Sequence, residues 1–196
     1  MIGFFPQIYP NELVYSWFAR YFCRSGYTAY GDAIADLYEK HTVRPDVEFI
    51  NRLDKGAEKI ISGMEPMEKL VLEHTMFPNY GRFLDAGRRQ KAFRCMVRQE
   101  GDAHNLLAIP VNRSSSIRYV RYCPRCVAED REKYGETYIH RVHQLMGIDT
   151  CCQHGCKLKD SVIPIMGKAA PRLYVFDDEI VDMEVEPAEN ETELRL

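Results

Sequence analysis

The sequences CPRC at residues 123–126 and CCQH at residues 151–154, separated by 24 residues, decide the organisation of the second half of this chain. Each presents two thiol or imidazole side chains three residues apart, so that a tight turn directs both toward one metal ion. Zn²⁺ binds four such ligands in a tetrahedron, and a site closed by four protein ligands stabilises a fold rather than activating a substrate. We therefore predict one structural zinc ion held by Cys123, Cys126, Cys151 and His154.

The second ligand pair leaves two alternatives open, because further cysteines lie beside it. Cys152 could replace Cys151, and Cys156 could replace His154. We favour Cys151 and His154 because their spacing repeats that of the first pair and because Gly155 allows the chain to turn sharply after them.

Composition and the amino terminus predict a soluble protein of one or two domains. The chain has 196 residues, of which 45% are hydrophobic and 28% charged. No apolar run approaches the ~20 residues that span a bilayer, and the first residues lack the pattern of a signal peptide. We therefore expect a cytoplasmic protein with no membrane association, whose seven cysteines stay reduced and suit metal binding better than disulfides.

The net charge of −3 conceals an uneven distribution. Residues 82–125 carry ten basic and three acidic side chains, whereas residues 126–196 carry eight basic and fifteen acidic ones. A local excess of positive charge is typical of a surface that binds phosphates, although solvated helix faces produce the same pattern. The candidate nucleic-acid contacts are Arg88, Arg89, Arg94, Arg118, Arg121 and Arg125.

Hydrophobic periodicity predicts a mainly helical first half. Asn11 is a candidate N-cap for the first helix and Gly26 its end, and a basic helix is expected over residues 87–98. Short helices of this kind can include a helix-turn-helix that enters the major groove of DNA. The other three helices are expected to begin at Asp32, at Pro45 and at Pro66.

The pattern changes to short strands after about residue 104. We predict strands over residues 106–109, 117–122, 137–142 and 147–150, with one helix over residues 127–134. The predicted fold class is α+β, mainly α: an N-terminal helical, helix-turn-helix-like domain (residues 1–110), followed by a small zinc-ribbon or treble-clef-like module (residues 111–165). Residues 166–196 are rich in acidic side chains and are predicted to be a solvated linker or tail.

No sequence pattern indicates catalysis, so we predict that the protein is not an enzyme. His140 and His143 form an H-x-x-H pair, but on a strand they would point to opposite faces, and a hydrogen-bonding role is favoured over a second metal site. No P-loop, GxSxG, HExxH or kinase motif is present in the sequence.

Three separated segments, in order, resemble the TniQ family of transposition target-selection proteins, in its TnsD-like branch. They are residues 6–26, residues 74–84 and residues 122–155, which contain YCPRCVAED, GETYIHRVHQL and the second ligand pair. The sequence departs from the family at Ile139, where tryptophan is common, and at Cys152, where proline is common. Members of this branch are longer, so the resemblance implies that this chain corresponds to their amino-terminal part.

The resemblance implies an adaptor that binds target DNA, or a guide-RNA effector complex, and recruits an AAA+ transposition ATPase. It also implies a bacterial, nucleoid-associated location. The leading alternative is a free-standing zinc-dependent transcription regulator, which would bind a specific duplex unaided. A metallonuclease using His140 or His143, and an interaction module whose basic face meets an acidic partner, are the remaining alternatives.

Overall fold

The computed structural model describes residues 2–38, 40, 42–101, 103–107, 118–165, 172–180 and 182–188. Within them the chain forms α-helices and one antiparallel pair of strands, which confirms a mainly helical α+β fold; the helix-turn-helix and the zinc-ribbon details stay predictions. The helices are α1 (Val14–Ser25), α2 (Tyr30–Leu37), α3 (Lys55–Met64), α4 (Met67–Glu73), α5 (Phe77–Gly81), α6 (Ala86–Val97), α7 (Ala103–Leu106) and α8 (Pro124–Tyr134), and the strands are β1 (Tyr119–Tyr122) and β2 (Lys159–Pro164).

Helix α1 lies at the centre of the helical part. Its Trp17 is fully buried and donates its indole N–H to the carbonyl oxygen of Pro6 at 2.6 Å. The helix ends at Gly26, whose φ of 78° is the left-handed conformation that glycine adopts without strain, as predicted. It begins after Leu13, so the prediction of Asn11 as N-cap is wrong.

Three further helices form close to where they are predicted, among them α2, which begins two residues before Asp32, and one does not. Helix α4 follows Pro66, and α6 covers nearly all of residues 87–98. The predicted helix from Pro45 is wrong, because α3 begins only at Lys55, where the Asp54 carboxylate accepts a hydrogen bond from the Gly56 N–H at 2.7 Å. A carboxylate at this position satisfies a free amide of the first turn and so sets the start of the helix.

The strands of the second half differ from the prediction. The strand predicted over residues 117–122 is confirmed by β1, which pairs with β2 in the register Tyr119↔Pro164 and Tyr122↔Lys159. The strands predicted over residues 137–142 and 147–150 are wrong: this part contains a 3-10 turn over Arg141–Gln144 and isolated bridges. Leu106 lies in α7 rather than in a strand, and residues 108–109 lie outside the described residues.

The acidic segment packs on the fold where it is described. Leu173 and Phe176 are each 3% exposed, and Asp177 pairs with Arg131 at 2.7 Å. The prediction of a solvated tail is therefore wrong for residues 172–180, while the domain limits stay predictions. One buried hydrophobic cluster includes Leu13 of the first half and Phe176 of this segment.

None of the helices in the described ranges is long and apolar enough to cross a membrane.

Candidate metal centre and basic surface

The first pair of cysteines lies where β1 passes into α8. Cys123 is the residue before the helix, and its Sγ accepts a hydrogen bond from the Cys126 N–H at 3.5 Å. Pro124 occupies the first helical position, where its missing N–H costs no helical hydrogen bond. Because amide dipoles at a helix start favour negative charge, this junction suits a pair of thiolates.

The second pair lies on a tight hairpin. Thr150 bridges Lys157, and the Cys151 N–H donates to the Cys156 carbonyl oxygen at 2.8 Å. Gly155, with a φ of 61°, permits the reversal of the chain. The turn places His154 over the thiols of the first pair.

The four predicted ligand atoms have the separations of a tetrahedral site. Zn–S bonds of 2.3 Å and Zn–N bonds of 2.0–2.1 Å imply edges of about 3.8 Å between sulfurs and about 3.5 Å between sulfur and nitrogen. The Cys126 and Cys151 Sγ atoms are 3.7 Å apart, and His154 Nδ1 lies 3.4, 3.3 and 3.7 Å from the sulfurs of Cys123, Cys126 and Cys151. All four atoms lie within 4.8 Å of one another, so this buried cluster could hold a metal ion.

The two alternative cysteines differ in position. Cys152 is exposed and is not part of the cluster of four ligand atoms. Cys156 is 2% exposed, and its Sγ lies 3.2 Å from the Sγ of Cys123. The geometry therefore favours Cys151 over Cys152 and keeps Cys156 beside the centre.

Two side chains around the cluster were not assigned to it from the sequence. Glu129 Oε1 lies 2.8 Å from His154 Nε2, so it orients the ring with Nδ1 toward the sulfurs. His143 Nε2 lies 3.7 Å from the sulfurs of both Cys126 and Cys151. Spacing could have identified Glu129 from the sequence, since it follows Cys126 by three residues and lies on the same helix face.

The H-x-x-H pair lies on the 3-10 turn instead of on a strand. The rings of His140 and His143 are 4.9 Å apart, so the prediction of opposite faces is wrong. His140 Nε2 lies 2.7 Å from Asp130 Oδ2, which confirms a hydrogen-bonding role. Burial lowers the pKa of His143, which favours its neutral ring beside the sulfurs.

The six candidate arginines fall into two groups. Arg118 pairs with Glu48 at 3.1 Å, and Arg121 pairs with Asp149 at 2.9 Å and donates to two backbone carbonyls. Arg88 donates to the carbonyl oxygens of Leu106 and Asn105 at the end of α7. The other three, which are exposed, are Arg89, Arg94 and Arg125.

Two grooves lie along α6. The basic groove has a volume of about 490 Å³ and is lined by Lys91, Arg94 and Arg98, together with Glu100. The apolar groove has a volume of about 600 Å³ and lies between α4, α5 and α6. Its lining includes Leu72, Phe77 and Phe93, with Arg82 and Arg89.

The segment around Glu12 forms a seam with residues 136–141. Leu13 N–H donates to the Ile139 carbonyl oxygen at 3.0 Å, and Ser16 Oγ accepts from the Ile139 N–H at 3.1 Å. The fully buried Glu12 pairs with Arg20 at 2.8 Å, and Arg20 also pairs with Glu136 at 2.9 Å. The seam therefore joins residues 12–20 of the first half to the residues beside the metal cluster through hydrogen bonds and ion pairs.

Burial dominates the electrostatics of this seam. It raises the pKa of Glu12 from 4.5 to about 7, although the nearby positive charge of Arg20 acts in the opposite direction. Burial also acts to raise the pKa of Glu136, but hydrogen bonds from Arg20 and Arg24 outweigh it and lower the pKa overall.

A buried Cys3His cluster joined to a helical layer by a hydrogen-bonded seam defines a small protein with a candidate metal centre and two grooves. The chain belongs to the TniQ family, whose model matches residues 3–158. It is similar to the Transposon Tn7 transposition protein TnsD of Escherichia coli, with 33% identity over 153 residues. That similarity covers 77% of this chain and 30% of the relative, so this chain spans less than half of the relative's length.

Proposed function

We propose that this chain is a target-selection adaptor in DNA transposition, which joins target DNA to an AAA+ ATPase and performs no bond chemistry itself. Membership of the TniQ family over residues 3–158 carries the proposal. The similarity to a transposition protein supports the same process. The comparisons do not support a guide-RNA complex as the partner, so duplex DNA is the proposed target. The proposed location is the nucleoid in the cytoplasm.

The centre of this adaptor is proposed to hold one structural zinc ion on Cys123, Cys126, Cys151 and His154. The near-tetrahedral separations of the donor atoms support the assignment, and three thiols with one imidazole suit zinc. When bound, the ion links the β1–α8 junction to the hairpin at residues 150–157. It leaves no open position for a substrate.

The basic groove along α6 is proposed as the DNA contact. Lys91, Arg94 and Arg98 are exposed and line one concave surface, and no ion pair of theirs is found in the described part of the chain. Arg118 and Arg121 are weaker candidates, because acceptors within the chain already engage their guanidinium groups. Arg125, which is exposed between the first two cysteine ligands, is proposed as a further DNA contact.

The DNA contact is tested with the double variant Lys91→Glu/Arg94→Glu, measured by duplex binding at several salt concentrations. Each lost phosphate contact should lower the slope of log affinity against log salt by about 0.9. Lys55→Glu/Lys59→Glu on α3 provides a control of equal charge change, and it should bind with the wild-type slope. Equal slopes in all three proteins would show that this groove does not contact DNA.

The apolar groove is proposed to bind a segment of the ATPase that carries apolar side chains flanked by carboxylates. Charge complementarity supports this occupant, because Arg82 and Arg89 line the groove and have no ion pair within the described ranges. Leu72 is 44% exposed at the groove, and the rings of Phe77 and Phe93 pack 5.6 Å apart in its wall.

The protein contact is tested by co-purification with the AAA+ ATPase encoded in the same transposon. Leu72→Asp should abolish co-purification, whereas Ile60→Asp on α3, a residue of similar exposure, should not. If both variants bind as the wild type does, the groove is not the contact. If the wild-type protein itself does not bind, the ATPase half of the adaptor proposal is wrong.

A further inference from the structure

The acidic segment is held on the fold in two different ways along its length. Its first part is anchored by apolar burial, since Leu173 and Phe176 are each 3% exposed. Residues 182–188, which we call the acidic strap, are held differently. The apolar side chains of the strap contribute little burial, because Met183 and Val185 are 40% and 41% exposed. The strap is therefore tethered to the core without being buried in it.

Backbone contacts place the acidic strap along the edge of the hairpin at residues 150–157. The Lys157 N–H donates to the Glu186 carbonyl oxygen at 2.9 Å, and Pro187 forms an isolated bridge with Cys156. The strap is exposed over residues 182–187. Hydrogen bonds at an exposed edge are readily exchanged for hydrogen bonds to water, so this pairing can open while the core stays folded.

The acidic strap also covers one lysine of β2. The side chain of Lys159 is only 10% exposed, and its Nζ lies 2.5 Å from the Asp182 carboxylate and 3.2 Å from the Glu186 carboxylate. Both acids are half exposed, at 50% and 51%. Ion pairs with such exposed carboxylates are weak and are screened by salt, so another anion can replace them at the lysine.

A second basic side chain beside the strap is held differently. Arg131 Nη1 lies 3.9 Å from the Met183 sulfur, but its guanidinium pairs at 2.7 Å with Asp177, which belongs to the anchored part. Opening of the strap alone therefore frees Lys159 and leaves Arg131 paired. An ammonium group binds the oxygens of a phosphodiester as it binds those of a carboxylate, so the freed lysine suits a DNA phosphate.

We propose that Lys159 is a phosphate-binding residue for DNA and that the acidic strap controls access to it. With the strap in place, the Asp182 and Glu186 carboxylates occupy the lysine. When the strap opens, a DNA phosphate takes their place, and residues 172–180 keep the strap close by. A tethered competitor acts at a high effective concentration, so the strap weakens DNA binding without abolishing it. The inference rests on the DNA-binding function proposed above.

The first test measures binding of a random-sequence duplex to the full chain, with zinc present, at several salt concentrations. Asp182→Asn/Glu186→Gln keeps the size of both side chains and frees Lys159. It should bind severalfold more tightly than the wild type, with a slope of log affinity against log salt that is steeper by about 0.9. Adding Lys159→Gln to this variant should cancel the change in slope and the gain in affinity.

The matched control is Asp178→Asn/Glu184→Gln. It makes the same change in net charge, and it removes two exposed carboxylates for which no ion pair is found in the described part of the chain. This control should keep the wild-type slope, because it frees no basic side chain.

Hydrogen exchange provides a second measurement that needs no variant. Addition of the duplex to the wild-type chain should speed exchange of the Lys157 amide severalfold, because that amide loses its bond to the strap. The amides of α1 should exchange at an unchanged rate.

Three results overturn the role of the strap. They are equal slopes in the two double variants, a gain in affinity that survives Lys159→Gln, and unchanged exchange of the Lys157 amide when the duplex is bound. If neither the wild type nor any variant binds the duplex, the DNA contact itself is wrong, and the role of Lys159 is wrong with it.

Discussion

The interior around the two ligand pairs and the interior around α1 differ in composition. The first consists of the buried Cys123, Cys126, Cys151 and Cys156, with Leu158 packed against them. The second contains large apolar side chains such as Trp17, Phe18 and Leu13, all 1% exposed or less. Four sulfurs bury too little apolar surface to offset chain entropy, so we expect the first region to depend on the proposed metal ion, whereas the second depends on hydrophobic packing. The seam at Glu12 and Arg20 connects the two.

Removing the metal should produce the largest difference in stability between these two regions. Chelation should unfold the β1–α8 junction and the hairpin at residues 150–157 while α1–α6 keep their helical structure, since structural zinc contributes on the order of 10 kcal/mol of apparent binding free energy. Hydrogen exchange resolved along the chain measures both regions at once. Cys126→Ser should reproduce the loss and the exposed Cys152→Ser should not. Unchanged protection of residues 123–126 and 150–157 after chelation would contradict a metal-dependent region around the two ligand pairs.

Breaking the seam should have the next largest effect. Arg20→Ala leaves the fully buried Glu12 without its ion-pair partner, and loss of one partner of a buried pair costs about 3–5 kcal/mol. Arg24→Ala, which removes a 40% exposed partner of Glu136, should cost under about 1 kcal/mol. Denaturant unfolding at pH 8 with zinc present compares the two, and equal losses would show that the seam does not depend on the buried pair.

The seam should also make stability depend on pH. Because burial raises the pKa of Glu12 in the folded chain from 4.5 to about 7, the folded state binds its proton more tightly than the unfolded state. The stabilisation that protonated Glu12 contributes is therefore complete below about pH 4.5. It is lost as the pH rises through 7, which lowers the free energy of unfolding by roughly 3 kcal/mol.

The control for this pH dependence is Glu12→Gln, which cannot titrate. The free energy of unfolding of the wild type minus that of the variant should fall between pH 5.5 and pH 8, with the effects of zinc cancelling in the difference. A difference independent of pH over this range would show that Glu12 keeps an ordinary pKa.

The smallest expected effects come from single alanine substitutions in the two groups of arginines, those that pair within the chain and those that are exposed. Arg121→Ala should lower stability by about 1–3 kcal/mol, because the carbonyl oxygens of Leu145 and Ile148 lose their donor. It should leave the salt dependence of DNA binding unchanged. Arg94→Ala should do the reverse, since Arg94 is exposed. Unfolding curves measure the stability of both variants, and salt titrations measure their DNA binding. If Arg121→Ala weakens DNA binding more than Arg94→Ala does, the distinction between paired and exposed arginines is wrong.

Local sequence signals predicted much of the fold. Gly26 and Gly135 each end a helix in the left-handed conformation, where glycine lacks the steric cost of a Cβ atom. The prediction failed where a polar side chain determined the boundary. The Asp54 carboxylate starts α3, and the Asp46 carboxylate accepts from the Glu48 and Phe49 amides, where a helix was expected. Such competition between turn and helix depends on context beyond periodicity.

The candidate site was predicted in its ligands but not in its surroundings. The spacing of Cys123, Cys126, Cys151 and His154 was sufficient, because a tight turn brings residues three apart to one point. Glu129 was missed and His143 was not assigned to the cluster, since only folding places their side chains against it. The arginines show the converse, because a count of charges cannot tell that Arg118 and Arg121 pair within the chain.

By itself the sequence determined the metal-ligand spacing, the helical first half and membership of the TniQ family. The spacing and the helices depend on residues that are near one another in the chain, and family membership follows from comparing the sequence with those of other proteins. Only the tertiary structure decided that Cys152 is exposed while Cys156 lies buried 3.2 Å from Cys123, and which arginines remain exposed. It also decided that Glu12 meets residues 136–141 across the seam. Contacts between distant segments depend on how the whole chain packs, which no short pattern encodes.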